Sequence, residues 1–336
     1  MTHRGGGQHK WTADEILEMG RGFQHSSVLA AGADLDVFRL LYEQPRSAGR
    51  LAEEIGANPR ATTVLLDCLA AMGLLCKDGE RYHLADGIAE LLVKPGAPGV
   101  LAMTRHMGSC ARRWARLSEV VMTGRSPGRE PGAKGPKRDL ESFILAMEEI
   151  SAPVADKVVA DLGPPRFEHM LDLGGGPGTW TMAFLRACPS GRATLVDLPD
   201  VVPISRRRLE EEGFGDRAAA VVRDLDEDEL PGGADLAFAG AIIHQYDRAE
   251  NREFYRKIHR ALLPGGTLLI RDVFMDEGRT RPLAGALFAI NMLTACDGGT
   301  YTFAEMEEDL LEAGFEKVEL ARRDPGMNGI IRARRP

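Results

Sequence analysis

The sequence has 336 residues, 44% of them hydrophobic, with a formal net charge of −8 and five cysteines. This length favours two domains with substantial cores, and the acidic balance argues against a nucleic-acid partner, because phosphate binding depends on clustered Lys and Arg. No apolar run reaches the roughly 18 residues of a membrane span, and the N-terminus has no signal-like apolar region, so we expect a cytoplasmic protein without a membrane partner. The cysteines lack Cys-x-x-Cys spacing, which indicates neither a disulfide framework nor a zinc site.

The N-terminal part predicts a short tail and a helical domain. We expect residues 1–10 to be disordered and residues 11–96 to be mostly helical. Ser27–Leu41 is apolar around much of its circumference, which predicts a helix buried on more than one side. The following segments predict helix, turn, helix and a short hairpin, which is the outline of a winged helix. Its second helix, Arg60–Leu75, is largely apolar, whereas a helix that reads DNA presents Arg, Lys, Asn or Gln. We therefore favour an interface between two copies of the chain over DNA binding.

Residues 97–163 predict helices interrupted by a loop rich in Gly, Pro and Lys, and Gly163-Pro164-Pro165 marks a domain boundary. We interpret this segment as a helical linker that also contributes to a substrate pocket. Any one of its apolar or aromatic side chains is better explained as an ordinary core residue at helical spacing. Together they are candidate substrate-binding residues: His106, Met107, Trp114, Phe143 and Met147.

Residues 164–336 begin with the stretch His169–Asp197, which predicts one strand–helix–strand unit. Its first apolar run ends in a glycine cluster, a helical segment follows, and a second apolar run ends at Asp197. Glycine lets backbone approach a ligand, and a carboxylate at the tip of the second strand accepts protons from ribose hydroxyls. Gly174 and Gly176 precede Asp197 by about 20 residues, which is the spacing of a nucleoside site.

The glycine pattern limits which nucleoside is bound. It is Gly-x-Gly-x-Gly rather than the Gly-x-Gly-x-x-Gly of dinucleotide-binding turns, and it lacks the lysine of a P-loop. The sequence therefore predicts a nucleoside without a pyrophosphate. Asp172 agrees, because a carboxylate beside the turn repels phosphate and suits an ammonium or sulfonium group. The alternative is a packing turn of some other α/β domain, which does not account for the glycines and the acid together.

The rest of the chain continues the alternation of strands and helices. Strands are predicted at Ala219–Val222, Ala234–Ile243 and Thr267–Ile270, a helix at Arg248–Leu262, a turn at Pro264-Gly265-Gly266, and an antiparallel pair at Phe315–Leu320 and Gly329–Arg332. This pattern predicts an α/β fold with a doubly wound, Rossmann-like sheet. Such a sheet brings the strand ends into one crevice, where Asp224 and Leu225 would bracket an adenine, opposite His244 and Asp272.

Several features together resemble the two-domain small-molecule O-methyltransferases, a family with plant caffeate-type members and bacterial members that act on polyketides and carotenoids. They are the glycine turn, which resembles motif I of the class I S-adenosylmethionine (SAM) methyltransferases, the DLPDVV after the second strand, the acidic end of the third, the His after the fourth, the LLPGG turn and the winged helix. The resemblance implies SAM as cofactor, no metal, a small-molecule acceptor, and a homodimer formed through residues 11–96. It assigns residues 164–336 to SAM binding and catalysis.

The resemblance also implies roles for individual residues. His244 matches the family's general base, and Asp272 matches the acid that orients it. An imidazole suits this role, because methyl transfer from a sulfonium is an in-line displacement in which the protein aligns the acceptor and removes its proton. The residues that would bind SAM are Asp172, Gly174, Gly176, Asp197, Leu198, Asp224, Leu225 and Gly240.

The chain also departs from the family pattern. The common His-Asp-Trp is His244-Gln245-Tyr246 here, Asp272 is one methylene shorter than the family's glutamate, a second supporting acid corresponds to Ala304, and a frequent lysine corresponds to Gly240. These departures predict thinner support for the base and leave the acceptor open.

The segment ALFAINMLTACDGGTYTFAEM resembles that of a bacterial branch that includes a ring C-methyltransferase of the bacteriochlorophyll type. Asn291 and Tyr246 are candidates for orienting a substrate carbonyl or hydroxyl, and Phe288 and Met292 for facing the acceptor. We expect methylation of a hydroxyl on an aromatic or polycyclic small molecule. The alternatives are C-methylation of a tetrapyrrole or other ring on the same fold, and a non-catalytic SAM-sensing regulator that binds DNA.

Overall fold

The computed structural model describes residues 9–94, 99–128, 130–163 and 165–336. Residues 1–8 of the expected tail and the expected boundary after residue 96 lie outside the described residues. The chain forms two compact units, one running to Ala111 with Gly132–Gly135 added, and the other comprising Arg112–Pro131 and Pro136–Pro336.

This division falls inside the predicted middle segment, residues 97–163, rather than at its two ends. The start of that segment packs in the first unit, because the Arg105 guanidinium donates to the Ala33 carbonyl at 2.9 Å and to the Asp36 carboxylate at 2.5 Å. The functional division into three parts stays a prediction.

In the first unit, the described residues form five complete helices, the start of a sixth, and a small sheet. The helices are α1 Ala13–Asp34, α2 Val37–Glu43, α3 Ala48–Ile55, α4 Pro59–Ala71, α5 Ile88–Leu92 and α6 Leu101–Trp114, and the strands are β1 Arg46–Ser47, β2 Leu75–Asp78 and β3 Arg81–Leu84. The strands pair antiparallel in the order β1-β3-β2. Helices α3 and α4 with the β2–β3 hairpin confirm the predicted helix, turn, helix and hairpin.

The prediction of one helix over Ser27–Leu41 was wrong, because the chain breaks between α1 and α2. Asp36 lies between them with a φ of 62°, a left-handed conformation that Asp tolerates better than most residues. The apolar character has the expected cause: Val37, Phe38 and Leu41 are buried in the core of this unit.

The second unit contains a seven-stranded sheet covered by helices. The strands of that sheet are β4 His169–Leu173, β5 Arg192–Asp197, β6 Ala218–Val222, β7 Ala234–Gly240, β8 Leu262–Asp272, β11 Glu316–Arg322 and β12 Gly329–Arg334. Two short strands, β9 Phe274–Met275 and β10 Tyr301–Thr302, pair with each other in parallel as a separate sheet. The helices of the unit are α7 Leu117–Thr123, α8 Pro136–Ser151, α9 Ala155–Asp161, α10 Thr179–Ala187, α11 Val202–Glu211, α12 Arg248–Ala261, α13 Leu283–Leu293 and α14 Phe303–Glu312.

The sheet has the order β11-β12-β8-β7-β4-β5-β6. The strands from β8 to β6 run parallel, and β12 pairs antiparallel with both β8 and β11. One core beneath α12 and α14 covers one face, and a second beneath α9, α10 and α11 covers the other. The doubly wound α/β architecture and the closing antiparallel pair are thereby confirmed. The carboxyl ends of β4, β5, β7 and β8 share one edge, which is where such sheets bind ligands.

Two strand boundaries differ from the sequence expectations. Strand β7 ends at Gly240 rather than Ile243, because Ala241 has a φ of 58° and Ile243–Gln245 form a 3-10 turn. Strand β8 already begins at Leu262, and its register against β7 shifts between Leu262 and Thr267. The Pro-Gly-Gly segment is therefore a bulge within a strand rather than a turn before it.

None of the helices formed by the described residues is long and apolar enough to cross a membrane. Within the same residues, no cluster of three or more His, Cys, Asp or Glu side chains could hold a metal ion.

Candidate active site

The glycine turn joins β4 to α10 and is fixed by the acid at the end of β5. Gly174, Gly176 and Gly178 all have positive φ values, which strongly favour glycine. The Gly176 amide donates to one oxygen of Asp197 at 2.8 Å, and the Leu198 amide donates to the other at 2.8 Å. Burial raises the pKa of Asp197, and the two amide hydrogen bonds oppose that rise. The turn and the acid therefore form one rigid unit.

Asp172 lies beneath this turn. Its side chain is buried and accepts a hydrogen bond from the Thr181 hydroxyl. A Cβ on Gly175 would lie 2.9 Å from an Asp172 oxygen and 2.5 Å from Leu195, so no side chain fits between the turn and the strands below it. Burial raises the pKa of Asp172 to about 7, and the Thr181 hydrogen bond opposes that rise. These contacts support the turn from below.

The loop after β6 carries Asp224 and Leu225, the two residues expected to bracket adenine. Leu225 is buried and lies close to Gly174, since a Cβ on that glycine would be 3.7 Å from a Leu225 methyl. Lys257, which the sequence analysis missed, holds the loop: its ammonium donates to the carbonyls of Leu225, Asp226 and Asp228 at 2.5–3.4 Å. No sequence motif marks this lysine, which lies on α12 about 30 residues away.

Gly240 ends β7, and the surrounding residues explain why the family's lysine is absent here. A Cβ at this position would lie 2.5 Å from the ring of Phe238, which packs against Trp180 and Phe184. A lysine would have to displace this aromatic cluster.

His244 and Asp272 form a buried pair at the ends of β7 and β8. The His244 Nδ1 lies 2.8 Å from one Asp272 oxygen and 3.1 Å from the other. Asp272 is fully buried and also accepts a hydrogen bond from the Val273 amide at 2.8 Å. The shorter acid therefore still reaches the imidazole. Nδ1 then carries the proton donated to the carboxylate, which leaves Nε2 as the basic nitrogen.

The backbone on both sides of His244 is held by residues that the sequence analysis did not identify. The buried Asn251 amide donates to the carbonyls of Ile243 at 2.9 Å and Tyr246 at 3.3 Å. The Tyr301 hydroxyl also donates to the Tyr246 carbonyl. A Cβ on Gly298 would lie 2.1 Å from the His244 carbonyl oxygen, so this glycine allows a close backbone approach.

Helix α13 brings candidate acceptor-facing residues to the imidazole. The Phe288 ring meets the His244 ring edge-on, with centroids 4.7 Å apart. Asn291 lies one turn further along, and its Oδ1 accepts a hydrogen bond from the Trp114 indole at 3.0 Å. Met292 is buried, with its sulfur 4.0 Å from the Cys296 sulfur.

Tyr246 follows the 3-10 turn that carries His244, and its side chain packs against α12. Its ring lies against Phe254 with centroids 5.4 Å apart, within the core below α12. Burial raises the pKa of Tyr246, as does the neighbouring Asp226 carboxylate. These contacts give the ring a packing role, and its expected role in orienting substrate stays a prediction.

The remaining substrate candidates lie on α6 and α8. His106 and Met107 belong to the first unit, where the His106 Nε2 is 3.5 Å from the Cys110 sulfur and Met107 is exposed. Phe143 is exposed and Met147 half-buried on α8. Their roles stay predictions.

The free acceptor positions at this site fit the ribose of a nucleoside. Each Asp197 oxygen uses one acceptor position for a backbone amide, and a carboxylate has about four, so positions remain for ribose hydroxyls. A Cβ on Gly176 would meet nothing within 4 Å, so the turn has open space above it.

Comparison with known proteins agrees with this geometry. A model of the O-methyltransferase domain matches residues 132–316, and a model of the O-methyltransferase dimerisation domain matches residues 17–95. The tetracenomycin polyketide synthesis 8-O-methyl transferase of Streptomyces glaucescens is 31% identical over 90% of this chain and 91% of its own length. The 3-hydroxy-5-methyl-1-naphthoate 3-O-methyltransferase of Streptomyces sahachiroi is 29% identical over 94% of this chain and 93% of its own. The crystal structure of human N-acetylserotonin methyltransferase in complex with SAM gives a TM-score of 0.80 at 25% identity, covering 98% of this chain and 99% of that one.

Proposed function

The chain belongs to the O-methyltransferase family and is a SAM-dependent enzyme, and we propose that it methylates a hydroxyl of an aromatic or polycyclic small molecule with His244 as the general base. The buried hydrogen-bonded pair of His244 and Asp272 is the observation that carries this proposal. Relatives that act on a polyketide and on a naphthoate support the acceptor class.

The proposed SAM site consists of the turn and the loops at the ends of β4, β5 and β6. Gly174 and Gly176 would accommodate the amino-acid part, Asp197 would accept the ribose hydroxyl protons, and Leu225 would cover one face of the adenine, with Asp224 at its edge. Leu198, next to Asp197, is 48% exposed and free to contact the same nucleoside. When bound, SAM supplies a methyl group on a positively charged sulfonium.

His244 would take the acceptor's proton at Nε2. The Asp272 carboxylate holds the Nδ1 proton, which fixes the tautomer and stabilises the imidazolium that forms. The Phe288 ring limits rotation of the imidazole on one side. Because methyl transfer is an in-line displacement, the remaining task of the protein is to align the deprotonated acceptor oxygen with the methyl group that SAM would supply.

Replacement of His244 by Ala tests the role of the base. We expect turnover with a phenolic acceptor to fall at least 100-fold, because general-base catalysis contributes about 10²–10⁴-fold, while the affinity for S-adenosylhomocysteine measured by calorimetry is retained. Asp272→Asn should lower kcat with the imidazole still present, and Asp272→Glu, which restores a carboxylate, should lower it less.

The screen that precedes these variants uses radiolabelled SAM with phenols, naphthols and quinols as acceptors. A methyl group attached to carbon in the isolated product would contradict O-methylation. Unchanged turnover in His244→Ala would remove His244 from the proposed role.

A further inference from the structure

The face of α13 that meets the imidazole also carries Asn291. Phe288 and Asn291 are separated by three residues, so their Cβ atoms lie on the same side of the helix, about 5–6 Å apart. Since the Phe288 ring contacts His244, Asn291 lies one helical turn from the point where the reacting hydroxyl would bind.

A single hydrogen bond fixes the orientation of the Asn291 amide. The indole N–H of Trp114 is a donor only, so it must face the amide oxygen, and the two atoms are 3.0 Å apart. The Asn291 Nδ2 therefore points away from the indole. Among the described residues Nδ2 has no hydrogen-bond partner, and the side chain is half-buried. The amide NH2 group of this half-buried side chain is therefore a hydrogen-bond donor available to a ligand.

We propose that Trp114 is a positioning residue that holds Asn291 with its amide NH2 group towards the acceptor molecule. This orientation selects acceptors that carry a carbonyl near the reacting hydroxyl. This inference rests on the proposed function. Because Asn291 lies one helical turn from the Phe288 ring that contacts the imidazole, the carbonyl would lie on the same aromatic ring system as the hydroxyl but not directly beside it, as in a meta-hydroxy aromatic ester. Without Trp114 the amide is free to rotate by 180°, and the donor is no longer presented.

The alternative is that Trp114 has only a structural role and links α6 to α13. A second bond of that type exists, because the Ser126 hydroxyl donates to the Thr294 carbonyl at the end of α13 at 2.9 Å without touching Asn291. Ser126→Ala is therefore a matched control that weakens a tether to α13 and leaves the amide orientation intact.

The experiment compares two acceptors, methyl 3-hydroxy-1-naphthoate and 2-naphthol. They differ only in the methyl ester group, which carries the carbonyl. The quantity measured is the ratio of their kcat/KM values. We expect the wild type to favour the ester and the ratio to fall about tenfold in Trp114→Phe, the size of effect of one lost hydrogen bond. Asn291→Asp keeps an acceptor for the indole but replaces the outward donor by an oxygen, so its ratio should fall at least as far.

Ser126→Ala should keep the wild-type ratio within twofold. An unchanged ratio in Trp114→Phe would overturn the inference, as would an equal fall in Ser126→Ala. Calorimetry with S-adenosylhomocysteine identifies variants that have failed to fold, and if Trp114→Phe is one of them, an unchanged ratio in Asn291→Asp overturns the inference. If the wild type transferred no methyl group from SAM to any phenol, the proposed function itself would be contradicted.

Discussion

Two acidic side chains near the glycine turn differ in what they do. Asp197 accepts backbone amides and retains acceptor positions, whereas Asp172 is enclosed beneath the turn with Thr181 as its partner. Ionisation of a carboxyl group in such a place is unfavourable, because burial removes the hydration of the carboxylate. We infer that Asp172 supports the turn and acts on the sulfonium only through it.

This burial makes stability depend on pH. The pKa of Asp172 is raised from 3.8 to about 7, so the folded state holds its proton more tightly than the unfolded state does. The resulting stabilisation is fully present below pH 4 and is lost as the pH rises to about 7. Between pH 5 and pH 8 the wild type should lose about 3 kcal/mol of unfolding free energy through this group, an order-of-magnitude figure.

Asp172→Asn carries no titrating proton and should lack this loss, so the stability difference between the two proteins should change in favour of the variant as the pH rises. Urea unfolding of both at pH 5 and pH 8 measures it. A difference that is the same at both pH values would show that Asp172 does not hold the extra proton.

At the residue scale, the strand-end acids and His244 could be selected as candidates from the sequence, because each follows the end of an apolar run, and the role proposed for His244 came from the family resemblance. The partners of these residues could not. Asn291 was selected as a substrate residue, but its bond to Trp114 joins positions 177 residues apart, and no local pattern encodes that contact. Tyr246 was also selected as a substrate residue, and no local pattern predicts that its half-buried ring packs against Phe254.

At the scale of elements, the short turn that carries His244 is the feature that was least predictable. The sequence Leu236–Ile243 is apolar throughout, so nothing in its periodicity marks the end of the strand at Gly240. The break is imposed by the left-handed residue Ala241 and by contacts from α12 and from the segment after α13. Regular elements follow local periodicity, whereas a 3-10 turn of this kind depends on tertiary contacts.

The close approach of Gly298 to this turn gives a test of its importance. In Gly298→Ala the new methyl would overlap the His244 carbonyl oxygen and the Gln245 carbonyl carbon, so the turn must shift. We expect kcat to fall at least tenfold, because displacement of a catalytic group by about 1 Å can cost 10²-fold in rate. The KM for SAM should change less than twofold, since the turn and loops proposed for SAM are untouched.

The neighbouring Gly299 is a matched control, because a Cβ there meets nothing within 4 Å and neither glycine has a positive φ. Gly299→Ala should have steady-state kinetics close to those of the wild type. Equal effects of the two substitutions on kcat would mean that the close approach of Gly298 does not position His244.

At the scale of the whole molecule, the doubly wound sheet with its antiparallel pair and the helical N-terminal unit were both predictable, because alternating strands and helices leave few topologies. The boundary between the two units was harder to predict. Helix α6 begins in one unit and ends in the other, and periodicity is the same on both sides of that point. Only contacts such as that of Arg105 with Asp36 reveal where the first unit ends.

The first unit also leaves a large apolar surface on α1. Ile16, Met19 and Phe23 recur at helical spacing on one face and are 52%, 62% and 66% exposed in the single chain. A row of this kind marks an interaction surface, and the dimerisation-domain match over residues 17–95 supports a second copy of the chain as the partner.

We therefore expect Phe23→Glu to raise the dissociation constant of the dimer at least tenfold, because an aromatic ring that the dimer would bury is exchanged for a charge that must be desolvated. Sedimentation velocity over a range of concentrations measures this shift. Leu311→Glu, which alters a side chain 52% exposed on α14 of the second unit, is the control and should leave the dimer intact. A Phe23→Glu protein with the wild-type dissociation constant would mean that the apolar face of α1 does not form the dimer interface.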